Sequence, residues 1–278
     1  MIEPVTLPWV PDTKALIPWL DEIKARKYLT NYGPIYSQYL ADLSTYLETQ
    51  NITLSSSGTQ ALISSIASFG NIKKIITTPF TFVATINSII WNNAVPVFVD
   101  VSAKDCNVDC SKIEEALKEG ADLMMFTHCY GFPCDIETIK ELSRRFTIPV
   151  IYDASHAFGV FSGGTDLLQN GDVSVCSLHA TKVCHCVEGG LIYAMETDRI
   201  KKIDAIGNFG IKDGVIVSNG LNGKLSEVHS AYGIEVLKEY SKLREKRKVV
   251  FSLYQELIGE TPEFEFMSRN IFDGWNYC

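Results

Sequence analysis

The chain has 278 residues, 46% hydrophobic, 11% aromatic and 21% charged, a globular composition that permits one large domain or two modest ones and excludes a large multidomain machine. With 25 Lys+Arg against 33 Asp+Glu the formal charge is -8, so the overall field repels phosphate backbones and argues against a nucleic-acid partner. No uncharged apolar run approaches the roughly 20 residues of a membrane span, and Met1-Ile2-Glu3-Pro4 lacks the basic and apolar regions of a signal peptide, so the chain reads as cytoplasmic with no membrane role.

Along the chain, the first strand-like run is Ile52-Thr53-Leu54, followed by the small-residue segment Ser55-Ser56-Ser57-Gly58-Thr59. Residues 60–69 place Ala61, Leu62, Ile63, Ile66 and Ala67 on a broad apolar helical face. Short apolar runs of buried-strand type follow at 75–78 and 95–99, and Ser111-Lys112-Ile113-Glu114 opens a helix with capping-box spacing. Further such runs occupy 123–126, 149–152 and 173–176. This alternation predicts an α/β fold around a mainly parallel sheet, with sites at the carboxyl ends of the strands. From Ser226 to about Ile258 the pattern changes to one long amphipathic helix or two joined ones, with Val228, Ala231, Leu237, Tyr240 and Leu243 near helical spacing. After Gly259 only 19 residues remain, too few for an independent core.

Three segments carry chemistry. Ser57-Gly58-Thr59 directly precedes a helix, where free amides and the helix dipole favour an anion, although a simple Ser or Thr helix cap explains the same residues. Asp153 stands where an apolar strand ends, with His156 three residues later. That acid can pair with a cationic ligand group in the sheet crevice, or cap the next turn beside a core histidine. Lys182 follows the strand at 173–176 in a weakly charged stretch, where desolvation favours the neutral nucleophilic amine, while a solvated lysine is the bland alternative. The eight cysteines, scattered from Cys106 to Cys278, read as reduced thiols packing as small hydrophobes. Neither Cys106/Cys110 nor Cys184/Cys186 around His185 has the repeated spacing of a structural zinc site, so no metal is expected.

Taken together these segments resemble the DegT-like sugar-nucleotide aminotransferases, a branch of the fold type I enzymes that use pyridoxal 5'-phosphate (PLP). The resemblance is carried in order by Tyr28-Leu29-Thr30-Asn31-Tyr32-Gly33-Pro34, Ser57-Gly58-Thr59-Gln60-Ala61-Leu62, Pro79-Phe80-Thr81-Phe82-Val83-Ala84-Thr85 and Pro96-Val97-Phe98-Val99-Asp100. It continues through Asp153-Ala154-Ser155-His156-Ala157-Phe158-Gly159, Ser177-Leu178-His179-Ala180-Thr181-Lys182 with Glu188-Gly189-Gly190, and Asn222-Gly223-Lys224-Leu225-Ser226-Glu227. It implies a three-layer α/β/α PLP-binding large domain of aspartate-aminotransferase type over residues 1–240, and the start of an incomplete carboxyl-terminal small domain over 241–278.

The resemblance also implies residue roles. Lys182 holds PLP covalently and moves the proton, and Asp153 faces the pyridine nitrogen and keeps it protonated. Gly58, Thr59 and Ser177 hold the cofactor phosphate. Phe82 stacks on the ring, His156 lies beside it, and Asn222 reaches the phosphate of a partner subunit, which implies a homodimer. The implied reaction moves an amino group from an amino acid such as glutamate to a nucleotide-linked keto sugar. The segments around Phe158, Lys182 and Asn208-Phe209-Gly210 are nearest to members acting on 4-keto-6-deoxyhexoses, in amino-sugar and surface-polysaccharide biosynthesis. Some relatives carry histidine in place of the lysine and are dehydratases, so Lys182 favours transamination. Two departures stand out: Cys184-His185-Cys186, where the family usually has an aromatic and polar pair, and an ending near Tyr277, where family members continue. The alternatives to an active aminotransferase are therefore a truncated PLP-binding remnant and a non-catalytic interaction protein on the same fold.

Overall fold

In the computed structural model, which describes residues 6–258 and the backbone of 272–273, two helices precede the sheet: α1 (Thr13–Arg26) and α2 (Pro34–Tyr46). Strands and helices then alternate as β1 (Ile52–Ser55), α3 (Gly58–Ala67), β2 (Lys74–Thr77), α4 (Val83–Trp91), β3 (Val95–Phe98), α5 (Cys110–Lys118), β4 (Leu123–Thr127), α6 (Ile136–Phe146) and β5 (Val150–Asp153). A hairpin of β6 (Phe161–Ser162) and β7 (Thr165–Asp166) leads to β8 (Val173–Ser177), β9 (Gly190–Ala194) and α7 (Thr197–Gly207). The short strands β10 (Ile211–Lys212) and β11 (Val215–Ile216) precede α8 (Glu227–Ile258), and β12 (Phe272–Asp273) pairs with β6.

Seven strands form the central sheet in the order β1-β9-β8-β5-β4-β2-β3. Pairing is parallel from β8 to β3, and β9 alone runs antiparallel to its neighbours β8 and β1. The alternation along each strand sorts side chains to two faces. Ile75, Leu123, Met125 and Ile151 pack with Ala61, Leu62 and Ile66 of α3 on one face, while Ile76, Met124, Phe126 and Tyr152 pack with Ile113 of α5 and Ile139 of α6 on the other. These are the helix, sheet and helix layers expected of the fold. A further cluster joins Tyr39 and Leu43 of α2 to Ala231, Ile234 and Tyr240 of α8.

One local expectation changes, and the long carboxyl-terminal helix takes the first of its two expected forms. The helix at 110–118 begins at Cys110 and is capped by Asp109, whose carboxylate accepts from Ser111 N at 3.1 Å, so Ser111 lies in the first turn instead of capping it. Residues 227–258 form one continuous helix. Tyr240 is buried within it, its hydroxyl donating to Phe158 O at 2.7 Å. The division drawn at 240/241 thus falls inside α8, and most of 259–278 lies outside the described residues.

α8 also secures α2. Gly33, the residue before α2, has no side chain to cap it. Glu227, the first residue of α8 and 1% exposed, fills that role from the far end of the chain, its two oxygens accepting from Ile35 N and Tyr36 N at 2.9 Å each. A Cβ on Gly33 would lie 2.6 Å from the Glu227 carboxyl carbon, so glycine is required there. Glu227→Ala strands two buried amides at a helix N-terminus and should cost about 3 kcal/mol of stability. Unfolding midpoints in urea measure this, and a midpoint equal to the parent's contradicts the capping role.

Candidate active site

The parallel strands end together, and their last residues open one crevice. β4 ends at Thr127, β5 at Asp153 and β8 at Ser177, while the reversed β9 brings Gly190 opposite both Ser177 and Ser55. A cavity of about 610 Å³ lies at this edge, lined among others by Gly58, Thr59, Phe82, Asp153, His156, Ser177 and Lys182. Every site residue expected from sequence except Asn222 is in this set. Asn222 is exposed, outside that lining, and forms an isolated backbone bridge with Asn208. The next residue, Gly223, accepts from Ser56 N at 2.7 Å, which ties this loop to the segment before α3.

At the N-terminus of α3, Ser57 is the cap, its Oγ accepting from Gln60 N at 3.1 Å. The first amides of a helix have no carbonyl partner within it, and here they lie beside the Thr59 and Ser177 side chains that line the cavity. Gly58 permits this approach, because a Cβ there would meet Ser177 Cβ at 2.9 Å and Ser177 Cα at 3.2 Å. The donor set, oriented amides plus hydroxyls at a positive dipole end, suits a phosphate. Cap and anion cradle therefore coexist in one segment.

Asp153 is 3% exposed. Its Oδ1 accepts from Ser155 N at 3.1 Å and its Oδ2 from Thr85 Oγ1 at 2.8 Å. Each oxygen keeps a further lone pair for a cationic group in the cavity. His156 Nδ1 accepts from Tyr130 N at 3.1 Å, and its ring stacks on Tyr130 with centroids 5.9 Å apart. Burial first, then the nearby Lys182 charge, pushes His156 down to about 4, so its imidazole is neutral at neutral pH. With Nδ1 accepting, the ring proton sits on Nε2. Tyr130 adopts a left-handed conformation, φ 53° and ψ 19°, at a cost of about 1 kcal/mol that this stack and hydrogen bond offset. Phe82, 71% exposed, precedes α4 at the cavity wall.

The loop carrying Lys182 is rigidly laced. Leu178 N donates to Gly189 O at 2.9 Å, Ala180 N to Val187 O at 2.8 Å, Lys182 N to His179 O at 2.8 Å and Cys186 N to Leu178 O at 2.9 Å. Cys184 and Cys186 are buried in the core, and His185 Nδ1 accepts from Val187 N at 3.4 Å while its Nε2 lies 2.9 Å from Trp9 O. The Cys184-His185-Cys186 departure thus packs the loop and pins the amino-terminal segment. Among the described residues no three His, Cys, Asp or Glu side chains form a metal-binding group, and no described helix is long and apolar enough to cross a membrane. Sequence reasoning missed Thr81, Thr127 and Thr85 as neighbours of Asp153, and Tyr130 as the support of His156. The one available signal was for Thr127, which directly follows the apolar run at 123–126 as Asp153 follows the run at 149–152.

Sheet, crevice and cavity have the architecture of sugar aminotransferases. Helicobacter pylori PseC, an aminotransferase involved in the biosynthesis of pseudoaminic acid, matches with a TM-score of 0.86 at 26% identity, over 93% of this chain and 71% of that one. The sequence profile of the DegT/DnrJ/EryC1/StrS aminotransferase family matches residues 12–271, and the chain belongs to that family. A dTDP-4-amino-4,6-dideoxy-D-glucose transaminase of Escherichia coli is 37% identical over 276 residues, 99% of this chain and 74% of that protein. A Shigella dysenteriae protein of the same name is 40% identical over 231 residues, 83% of this chain and 63% of that protein.

Proposed function

We propose that the protein is a PLP-dependent aminotransferase that moves an amino group from an amino-acid donor such as glutamate to a nucleotide-linked 4-keto-6-deoxyhexose, in amino-sugar biosynthesis. The observation that carries this reading is the convergence of Lys182, Asp153 and the Gly58–Thr59–Ser177 anion cradle on one cavity. The E. coli and Shigella relatives' names supply the sugar and the dTDP carrier.

PLP, when bound, supplies an electron-withdrawing ring that stabilises negative charge at the substrate carbon. The chain's residues divide the remaining work. The α3 amides with Thr59 and Ser177 would hold the phosphate, and the Asp153 carboxylate would pair with the ring nitrogen and favour its protonated form. Lys182 Nζ would be the amine that holds the cofactor and the group that carries a proton at the reacting carbon. His156, neutral at neutral pH, would lie beside the ring, and Phe82 would cover a ring face from the cavity wall. Asn222, exposed and outside the cavity lining of its own chain, is assigned to the partner's phosphate site in a homodimer, and residues 1–240 to the cofactor domain.

The test is to supply purified protein with PLP, L-glutamate and dTDP-4-keto-6-deoxyglucose and follow 2-oxoglutarate and the amino sugar by mass spectrometry. Both products should appear in equal amounts and depend on each reactant. A protein that binds PLP yet makes neither product, with glutamate or other amino donors, contradicts the aminotransferase reading.

A further inference from the structure

Three threonine hydroxyls and the Asp153 carboxylate form one hydrogen-bonded line at the cavity. Thr127 ends β4 and is the register partner of Asp153 at the end of β5. Thr81 lies in the turn before α4, and Thr85 in the first turn of that helix. Thr127 Oγ1 and Thr81 Oγ1 are 2.8 Å apart, as are Thr81 Oγ1 and Thr85 Oγ1, and Thr85 Oγ1 donates to Asp153 Oδ2 at 2.8 Å. An ionised carboxylate only accepts, which fixes the direction of the whole line. Thr85 must give its proton to Asp153, accept from Thr81, and leave Thr81 to accept from Thr127. Each bond polarises the next toward the carboxylate.

The line orients as well as polarises. Thr85 and Asp153 are both buried, so bulk water does not replace the donor if the hydroxyl is removed. Ser155 N fixes the other carboxylate oxygen at 3.1 Å. Two donors from different elements, one per oxygen, set the rotation of the carboxylate plane. Thr85 does not cap α4: the residue in the cap position is Phe82, which makes no side-chain cap bond. Resting on the PLP reading above, we propose that Thr85, backed by Thr81 and Thr127, is a positioning residue that orients the Asp153 carboxylate toward the ring nitrogen of bound PLP.

The test compares the parent with Thr85→Val, Thr85→Ser and Thr81→Val in three measurements: PLP affinity by absorbance titration, pH dependence of the bound cofactor's visible band, and unfolding of the PLP-free protein. Thr85→Val should weaken PLP binding roughly tenfold or more, the usual size of a lost hydrogen bond to a charged group. It should also alter the band's pH profile and lower kcat for glutamate with KM little changed. Thr85→Ser restores these properties, and Thr81→Val loses less in the same direction. A purely structural hydroxyl would move the unfolding midpoint and leave the band alone. Parent-like affinity and pH profile in Thr85→Val overturn the proposal, and if that variant does not fold, the same result in Thr81→Val does so. A parent protein that binds no PLP overturns the proposed function itself, and the positioning role with it.

Discussion

Lys182→Ala should end covalent capture of PLP and cut amino transfer by at least about 1000-fold, since one substitution removes both the nucleophile and the proton carrier. The loss is chemical because the loop is held by other atoms. Its backbone bonds between Leu178 and Gly189, and between Ala180 and Val187, need no lysine side chain, and the buried Cys184 and Cys186 anchor it to the core. Gly58, Thr59 and Ser177 remain to bind the phosphate, so PLP should still bind without forming the bond. Borohydride treatment followed by peptide mass spectrometry distinguishes the two states. Lys182→Arg is the companion control: it keeps the charge, but its guanidinium stays protonated and cannot act as the nucleophile. An adduct on a different lysine in either variant, or parent-like turnover, contradicts the assignment.

Asp153→Asn should preserve the fold while weakening PLP binding about tenfold or more and lowering kcat at saturating PLP roughly 100- to 1000-fold, the range expected when a pre-positioned charge is removed from a reacting site. Asparagine has the same shape but only one acceptor oxygen, so it keeps one of the two donors, Thr85 or Ser155 N, and it carries no negative charge to hold the ring nitrogen protonated. The phosphate cradle at α3 is untouched, so the variant can still be loaded at high PLP and its kcat measured. Single-turnover kinetics with glutamate measure it, and rates comparable to the parent's contradict the role given to Asp153.

Much of the fold was legible because the parallel strands are short continuous apolar runs. The runs at 123–126 and 173–176 fall within β4 and β8. β9 is also an apolar run, Leu191-Ile192-Tyr193-Ala194, but its antiparallel direction is revealed only by pairing. The cap of α5 was misplaced because Ser111 and Glu114 imitate a capping box, while Asp109, two residues earlier, is the acceptor. At the cavity, Asp153 and Lys182 were readable from local motifs that end strands. The threonine line was not, since Thr81, Thr127 and Asp153 meet only when β4 and β5 pair and the turn after β2 folds over them. Glu227 was equally hidden, because its partners Ile35 and Tyr36 lie 192 and 191 residues away in the chain.

The most direct measurement is a titration of the PLP-loaded protein with L-glutamate, following the visible absorbance band and the 2-oxoglutarate released, and then adding dTDP-4-keto-6-deoxyglucose. The band should bleach as one equivalent of 2-oxoglutarate forms per Lys182 site, and return as the keto sugar takes up the nitrogen. A band that persists through saturating glutamate and other amino donors would contradict the account.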